Sequence, residues 1–154
     1  MKTFFSILLM MLFTFVLIAQ ELNVPGKVKE SFKKLYPTVS QVNWSKEGNE
    51  EFEASFTSDG KDISLVFEED GELIETETAI NLSELPSGVV NFVEKYYPEY
   101  SITETAKIIN SKGVLTFEAE VSKENFRKDL LFNESGKFIE KNKSENENES
   151  EDED

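Results

Sequence analysis

Two periods of apolar residues run through the chain. From Glu51 to Thr57 apolar and polar side chains alternate, so that Phe52, Ala54 and Phe56 share one side of an extended strand and Glu51, Glu53 and Ser55 the other. Ile63, Leu65 and Phe67 continue the apolar side. Elsewhere the spacing is helical, in Val28, Phe32, Leu35 and Tyr36 and again in Val89, Phe92, Val93 and Tyr96. Pro25 and Pro86 suit the first position of each helix, Asn23 or Ser83 with Glu84 offers a capping oxygen or a favourable negative charge nearby, and Pro37 and Pro98 stop the run. Strand-like runs fill the rest, over 39–46, 51–57, 61–68 and 72–77 after the first helix and over 101–110, 114–121, 126–132 and 137–141 after the second.

The two halves match. VPGKVKESFKKLYP (24–37) aligns with LPSGVVNFVEKYYP (85–98) at an offset of 61. Gly48, FEASF (52–56) and VFEEDGELIE (66–75) align with Gly113, FEAEV (117–121) and LFNESGKFIE (131–140) at an offset of 65, so the second copy has four added residues between Pro98 and Gly113. Landmarks in one order at two self-consistent offsets imply duplication. The expected architecture is α+β: two tandem α-β4 repeats, over 24–77 and 85–140 of a domain spanning 22–140, forming a curved antiparallel sheet with both helices on one face and the other face open to solvent.

The doubled VFEEDGELIE and LFNESGKFIE stretches read as hairpins. A two-residue Asp70-Gly71 turn would set Val66 opposite Glu75, whereas a three-residue Glu69-Asp70-Gly71 loop pairs Phe67 with Leu73 and Val66 with Ile74, like with like. The second copy then pairs Phe132 with Phe138 and Leu131 with Ile139 around Glu134-Ser135-Gly136. Gly71 and Gly136 fall at the third loop position, where a left-handed backbone favours glycine. Neither loop has the spaced Asp/Asn ligands and terminal Glu of a dedicated calcium site.

Composition narrows the function. The opening MKTFFSILLMMLFTFVLIAQ carries one cation at Lys2, an apolar run over 4–19 and then Gln20 and Glu21, the layout of a secretory signal over 1–19 cleaved near Ala19, with an uncleaved anchor as the alternative. With neither Cys nor His in the chain, thiolate sites, disulfides and Ser-His or Cys-His nucleophiles are excluded. Net charge is −15; the tail KNKSENENESEDED (141–154), expected to be disordered, supplies −5 (two Lys against seven acids) and the signal +1, leaving −11 on the domain. Such acidity disfavours nucleic acid and, after signal cleavage, membrane surfaces, and leaves cationic proteins, basic peptides or weakly held calcium.

VP-x-x-V-x-x-x-F-x-x-x-YP, the Val42-x-Trp44 step and the paired F-x-x-x-G hairpins resemble the β-lactamase-inhibitor-like, PepSY-like proteins exported by Bacteroidetes and their relatives, over residues 24–140. The resemblance implies a fold like that of the β-lactamase inhibitor proteins, which grip their targets with a concave sheet surface, and a periplasmic or secreted location; PepSY modules have been suggested to restrain peptidases. It carries over no catalytic residue. The disulfides and inhibitory loops of true β-lactamase inhibitors have no counterpart here, which argues against lactamase inhibition.

No catalytic, cofactor-binding or metal-binding residue is assigned. On the outward register Val66 and Ile74, and Leu131 and Ile139, stand among Glu51, Glu53, Glu118, Glu120 and Arg127, and these nine residues are the candidate partner face. The plainer reading of the four apolar residues is cross-strand pairing alone, and of the acids a solvated sheet face rather than a carboxylate dyad. Trp44, sharing a face with Val42, is expected in the core, as are Tyr36 and Tyr97. The sequence thus describes a non-enzymatic module for an unidentified envelope protein or peptide, with a calcium-responsive protein as the alternative and a Glu-pair enzyme third.

Overall fold

The computed structural model describes residues 22–47 and 50–139. The expected signal over 1–19, Gly48 and the acidic tail over 141–154 lie outside the described residues. The fold is α+β: helix α1 (Gly26–Leu35), strands β1 (Asn43–Glu47), β2 (Glu51–Ser58), β3 (Lys61–Glu68) and β4 (Leu73–Ala79), a short 3-10 turn (Leu82–Glu84), helix α2 (Ser87–Tyr96), and strands β5 (Ser101–Asn110), β6 (Leu115–Lys123) and β7 (Phe126–Asn133). The seven strands form one antiparallel sheet in chain order, β1 to β7, with β4 and β5 joining the halves.

Both helices lie over the same side of the sheet. Val28 and Phe32 of α1 bury themselves against Phe52, Ala54, Phe56, Leu65 and Phe67, with Tyr36, Val42 and Trp44 packed at the edge of that cluster. Phe32 meets Trp44 and Phe56 edge to face, with ring centroids 5.5 and 5.2 Å apart. Val89 and Val93 of α2 bury against Ala119, Val121, Leu130 and Phe132 in a second cluster, with Phe92, Tyr97 and Phe138 around it. Of the predicted helical stripes, Leu35 and Tyr96 depart: they occupy equivalent places in the last turn and are 50% and 57% exposed, while the next residues, Tyr36 and Tyr97, turn inward as the chain leaves the helix.

Pro25 and Pro86 each stand one residue ahead of the helix, and their carbonyls accept the first intrahelical bonds from Lys29 (3.2 Å) and Val89 (2.9 Å). No side chain caps either helix; Glu84 closes the 3-10 turn instead, accepting the Asn81 N–H at 2.8 Å.

Three expectations are corrected. The first strand begins at Asn43 rather than 39, because β2 pairs with it only as far as Asn43 and Ser55. Of the last strand, expected over 137–141, the described residues 137–139 form a single bridge between Phe132 and Phe138, extended by the Ile139 N–H donating to the Leu131 carbonyl at 2.7 Å. The third correction is one of register. Phe67 pairs with Leu73 around a three-residue loop, as expected, but the register then shifts and Val66 lies opposite Glu75 instead of Ile74. Ile74 is the extra residue of a β-bulge, its carbonyl accepting the Ser111 N–H at 2.7 Å. Without the bulge, strict alternation from Leu73 would turn Glu75 and Glu77 under the helices, where unpaired carboxylates are costly. The shift sends both to the outer face.

Candidate functional site

The outer face is built from transverse rows that the strand register fixes. One row runs Ser45, Glu53, Val66, Glu75, Asn110 from β1 to β5. The next crosses all seven strands as Asn43, Ser55, Ser64, Glu77, Ile108, Thr116, Asn133. A third holds Ala79, Ala106, Glu118 and Leu131. At opposite corners stand rows made only of acids: Glu47, Glu51 and Glu68, and Glu104, Glu120 and Asp129. Like charges directly opposite one another destabilise a sheet, so this arrangement is sustained by the cores on the other side.

The face was expected to be open throughout. Its centre is not: Glu53, Val66, Glu77 and Glu118 are only 8%, 5%, 8% and 7% exposed, and Ala106 and Ile108 are buried beside them. Val66, Ala106 and Ile108 belong to neither helix-side cluster. Accessible surface lies toward the rim, where Leu131, Glu120 and Glu51 are half-buried and Arg127 and Ile139 exposed.

Burial and mutual repulsion set the electrostatics. Burial, and then the nearby carboxylates of Glu118, Glu75, Glu53 and Glu47, push the Glu77 carboxyl up to about 9. Burial, then Asp129, Glu75, Glu104 and Glu120, push Glu118 up to about 8. Glu51 is raised by burial and by Glu68 across the strand pair, and its Oε1 is a buried atom without a hydrogen-bond partner. Glu104 is raised by burial and Glu120, against a lowering pull from Arg127. Glu53 is held by hydroxyls, with Ser45 Oγ donating to Oε2 at 2.9 Å and Ser55 Oγ to Oε1 at 3.0 Å. Glu120 is bound by Arg127 Nη1 at 3.3 Å and by the Thr103 hydroxyl.

The nine sequence candidates therefore divide. Glu53 adjoins Val66, and Glu118 adjoins Leu131, at equivalent places in the two halves, and Glu120 holds Arg127. Ile139 meets Leu131 through the backbone, and Ile74 occupies the bulge. The four apolar residues do not make one patch, since Val66 on β3 and Leu131 on β7 are four strands, about 19 Å, apart. Glu75, Glu77, Glu104 and Ile108 were missed. The signal for Glu75 and Glu77 was present in Glu-Thr-Glu-Thr at 75–78, because only a bulge keeps both acids out of the helix-packed core. Among the described residues no group of three carboxylate side chains is disposed to hold a metal ion, and no helix is long and apolar enough to cross a membrane.

No family model matches the sequence, and no curated protein does. Solved structures do. One from Bacteroides eggerthii, described as a putative periplasmic protein, superposes with a TM-score of 0.67 at 23% identity over 76% of this chain and 86% of that one. A DUF2874 family protein from Bacteroides uniformis gives 0.66 at 25% identity over 75% and 86%. A BLIP-like protein from Bacteroides fragilis gives 0.58 at 25% identity over 75% and 84%. These neighbours agree with the resemblance carried by the Tyr-Pro, Val-x-Trp and hairpin motifs, and the chain has the α+β fold of BLIP-like proteins.

Proposed function

We propose that the protein is an exported, non-enzymatic module of the periplasm or cell exterior that engages another protein or peptide through its acid-rich sheet face and acts on that partner by occlusion. The observation that carries this reading is the sidedness of the sheet: both helices and both apolar cores lie on one side, and the other presents rows of Glu and Asp to which neither helix contributes. A surface of one sign favours partners that bring Lys or Arg to it and rejects acidic ones. The absence of His and Cys from the sequence supports a binding role over nucleophilic catalysis.

The rim residues supply the test. A photoreactive side chain at Arg127 or Leu131, activated in the native envelope, is expected to capture one recurrent protein. Leu131→Ser with Ile139→Ser is expected to abolish that capture without lowering the melting temperature. A lowered melting temperature with capture intact would mean that these side chains serve strand pairing alone. Titration calorimetry with calcium is expected to be flat; saturable micromolar heat would favour a cation-responsive envelope protein instead.

A further inference from the structure

One charge feature stands apart from the acid-rich face. Helix α1 carries Lys27, Lys29, Lys33 and Lys34 against Glu30 alone, a local net charge of +3 (four Lys, one Glu) in a domain whose net charge is −11. All four lysines are exposed, on the helix surface away from buried Val28 and Phe32. Lys34 pairs with Glu30 at 2.9 Å. Among the described residues no ion pair engages Lys27, Lys29 or Lys33, and Lys29 and Lys33 stand one turn apart on a common face. Elsewhere the cations are dispersed or answered: Lys61, Lys123 and Arg127 already face Glu84, Glu99 and Glu120.

The far end of the chain has the opposite character, with seven acids and no cation over residues 145–154. We propose that this acidic segment seats on Lys29 and Lys33, the unpaired lysines that share a face of α1. Its reach is sufficient. The described chain ends at Ile139, paired to the outer edge of β7, and α1 lies over β2 and β3, five to six strand spacings or about 24–29 Å away. Fifteen residues follow Ile139 in the sequence, and a chain of that length can span up to about 50 Å. The sheet's outer face repels the segment, and the helix side alone offers a concentration of cations. Seated there, the tail masks the more basic of the two described helices.

Zero-length carbodiimide crosslinking of the full chain, with light and heavy isotope-labelled copies mixed, tests this. The Glu30–Lys34 pair serves as internal control. The expected products join Glu or Asp of 145–154 to Lys29 and Lys33 within a single chain. They should fade in about 0.5 M NaCl, where the screening length falls to a few ångströms. Lys29→Gln with Lys33→Gln should remove most of the product while leaving the melting temperature unchanged. Tail links spread evenly over Lys95, Lys128 and Lys137, links only between light and heavy chains, or no tail links while the control forms, would each overturn the proposal.

Discussion

Gly71 and Gly136 answer two demands at once. Each closes a three-residue hairpin with a left-handed backbone, φ 90° and 77°. Each also lies so close to a helix that a Cβ would collide: at Gly71 with the Lys27 carbonyl oxygen and Ser31 Oγ, both at 2.8 Å, and at Gly136 with Pro86 Cβ at 2.9 Å. Gly60 and Gly113 share the positive φ but have nothing within 4 Å of the same position. The left-handed penalty alone, about 1–2 kcal/mol, should be the whole cost of Gly60→Ala or Gly113→Ala. Gly71→Ala and Gly136→Ala should exceed it by about 1 kcal/mol or more, since the helix must also give way. Urea unfolding of the four variants measures the difference, and equal losses would show that the helix contact costs nothing. A second residue-scale prediction concerns Glu77 and Glu118. Their folded values of about 9 and about 8 lie above the ordinary 4.5, so the native state keeps protons that the unfolded chain has released. That contribution to stability is complete below about pH 4.5 and is lost as pH climbs toward 8–9. Glu77→Gln and Glu118→Gln should flatten the decline, melting higher than the parent protein at pH 8.5 and alike at pH 4.5. Parallel pH profiles for parent and variants would refute the buried, proton-bearing state.

At the scale of elements, the helices and hairpin loops were legible because each is written in local chemistry. Proline ahead of the run and Tyr-Pro after it bound α1 and α2, and Asp-Gly and Ser-Gly mark the loops. What could not be read locally was pairing. The β3–β4 bulge is invisible to a rule that matches like with like, and that rule put Val66 opposite Ile74. The bulge exists because two sites compete for one register: Leu73 must face Phe67 in the core, while Glu75 and Glu77 must leave it. The candidate face was legible through the alternation of Glu51-Glu53 and Glu118-Glu120, whereas placing Glu75 and Glu77 on it required reading the bulge from Glu-Thr-Glu-Thr rather than from like-with-like pairing. Leu35 and Tyr96 mislead for another reason: helical period assigns them inward, but each lies in the last turn, where the chain turns its next residue into the cluster instead. The two clusters share no residue. Val28→Ala and Val89→Ala, each deleting two methyl groups at fully buried equivalent sites, should cost about 2 kcal/mol apiece. The double variant should lose their sum to within about 0.5 kcal/mol, as separate sites do. A marked departure from additivity in chemical denaturation would show that the seam between β4 and β5 couples the halves.

For the molecule as a whole, charge rather than packing sets the response to conditions. A net charge of −15, with rows of carboxylates across one face, stores repulsion that dissolved salt screens. Raising NaCl from about 20 mM to about 300 mM should therefore lift the melting temperature, by about 3–6 °C if the relief is near 1 kcal/mol. A fall would mean that ion pairs such as Arg127–Glu120 outweigh the repulsion. The close fit of hairpin loop to helix also orders assembly in time. The seat for Lys27 and Ser31 is not complete until Gly71 has turned, and that for Gly88 not until Gly136 has. A chain made from its amino terminus therefore meets each helix first and its keystone some forty-five residues later, so neither half can lock while it is still being synthesised or threaded, and a nascent chain cut short before its last hairpin would have one finished half and one that never closes.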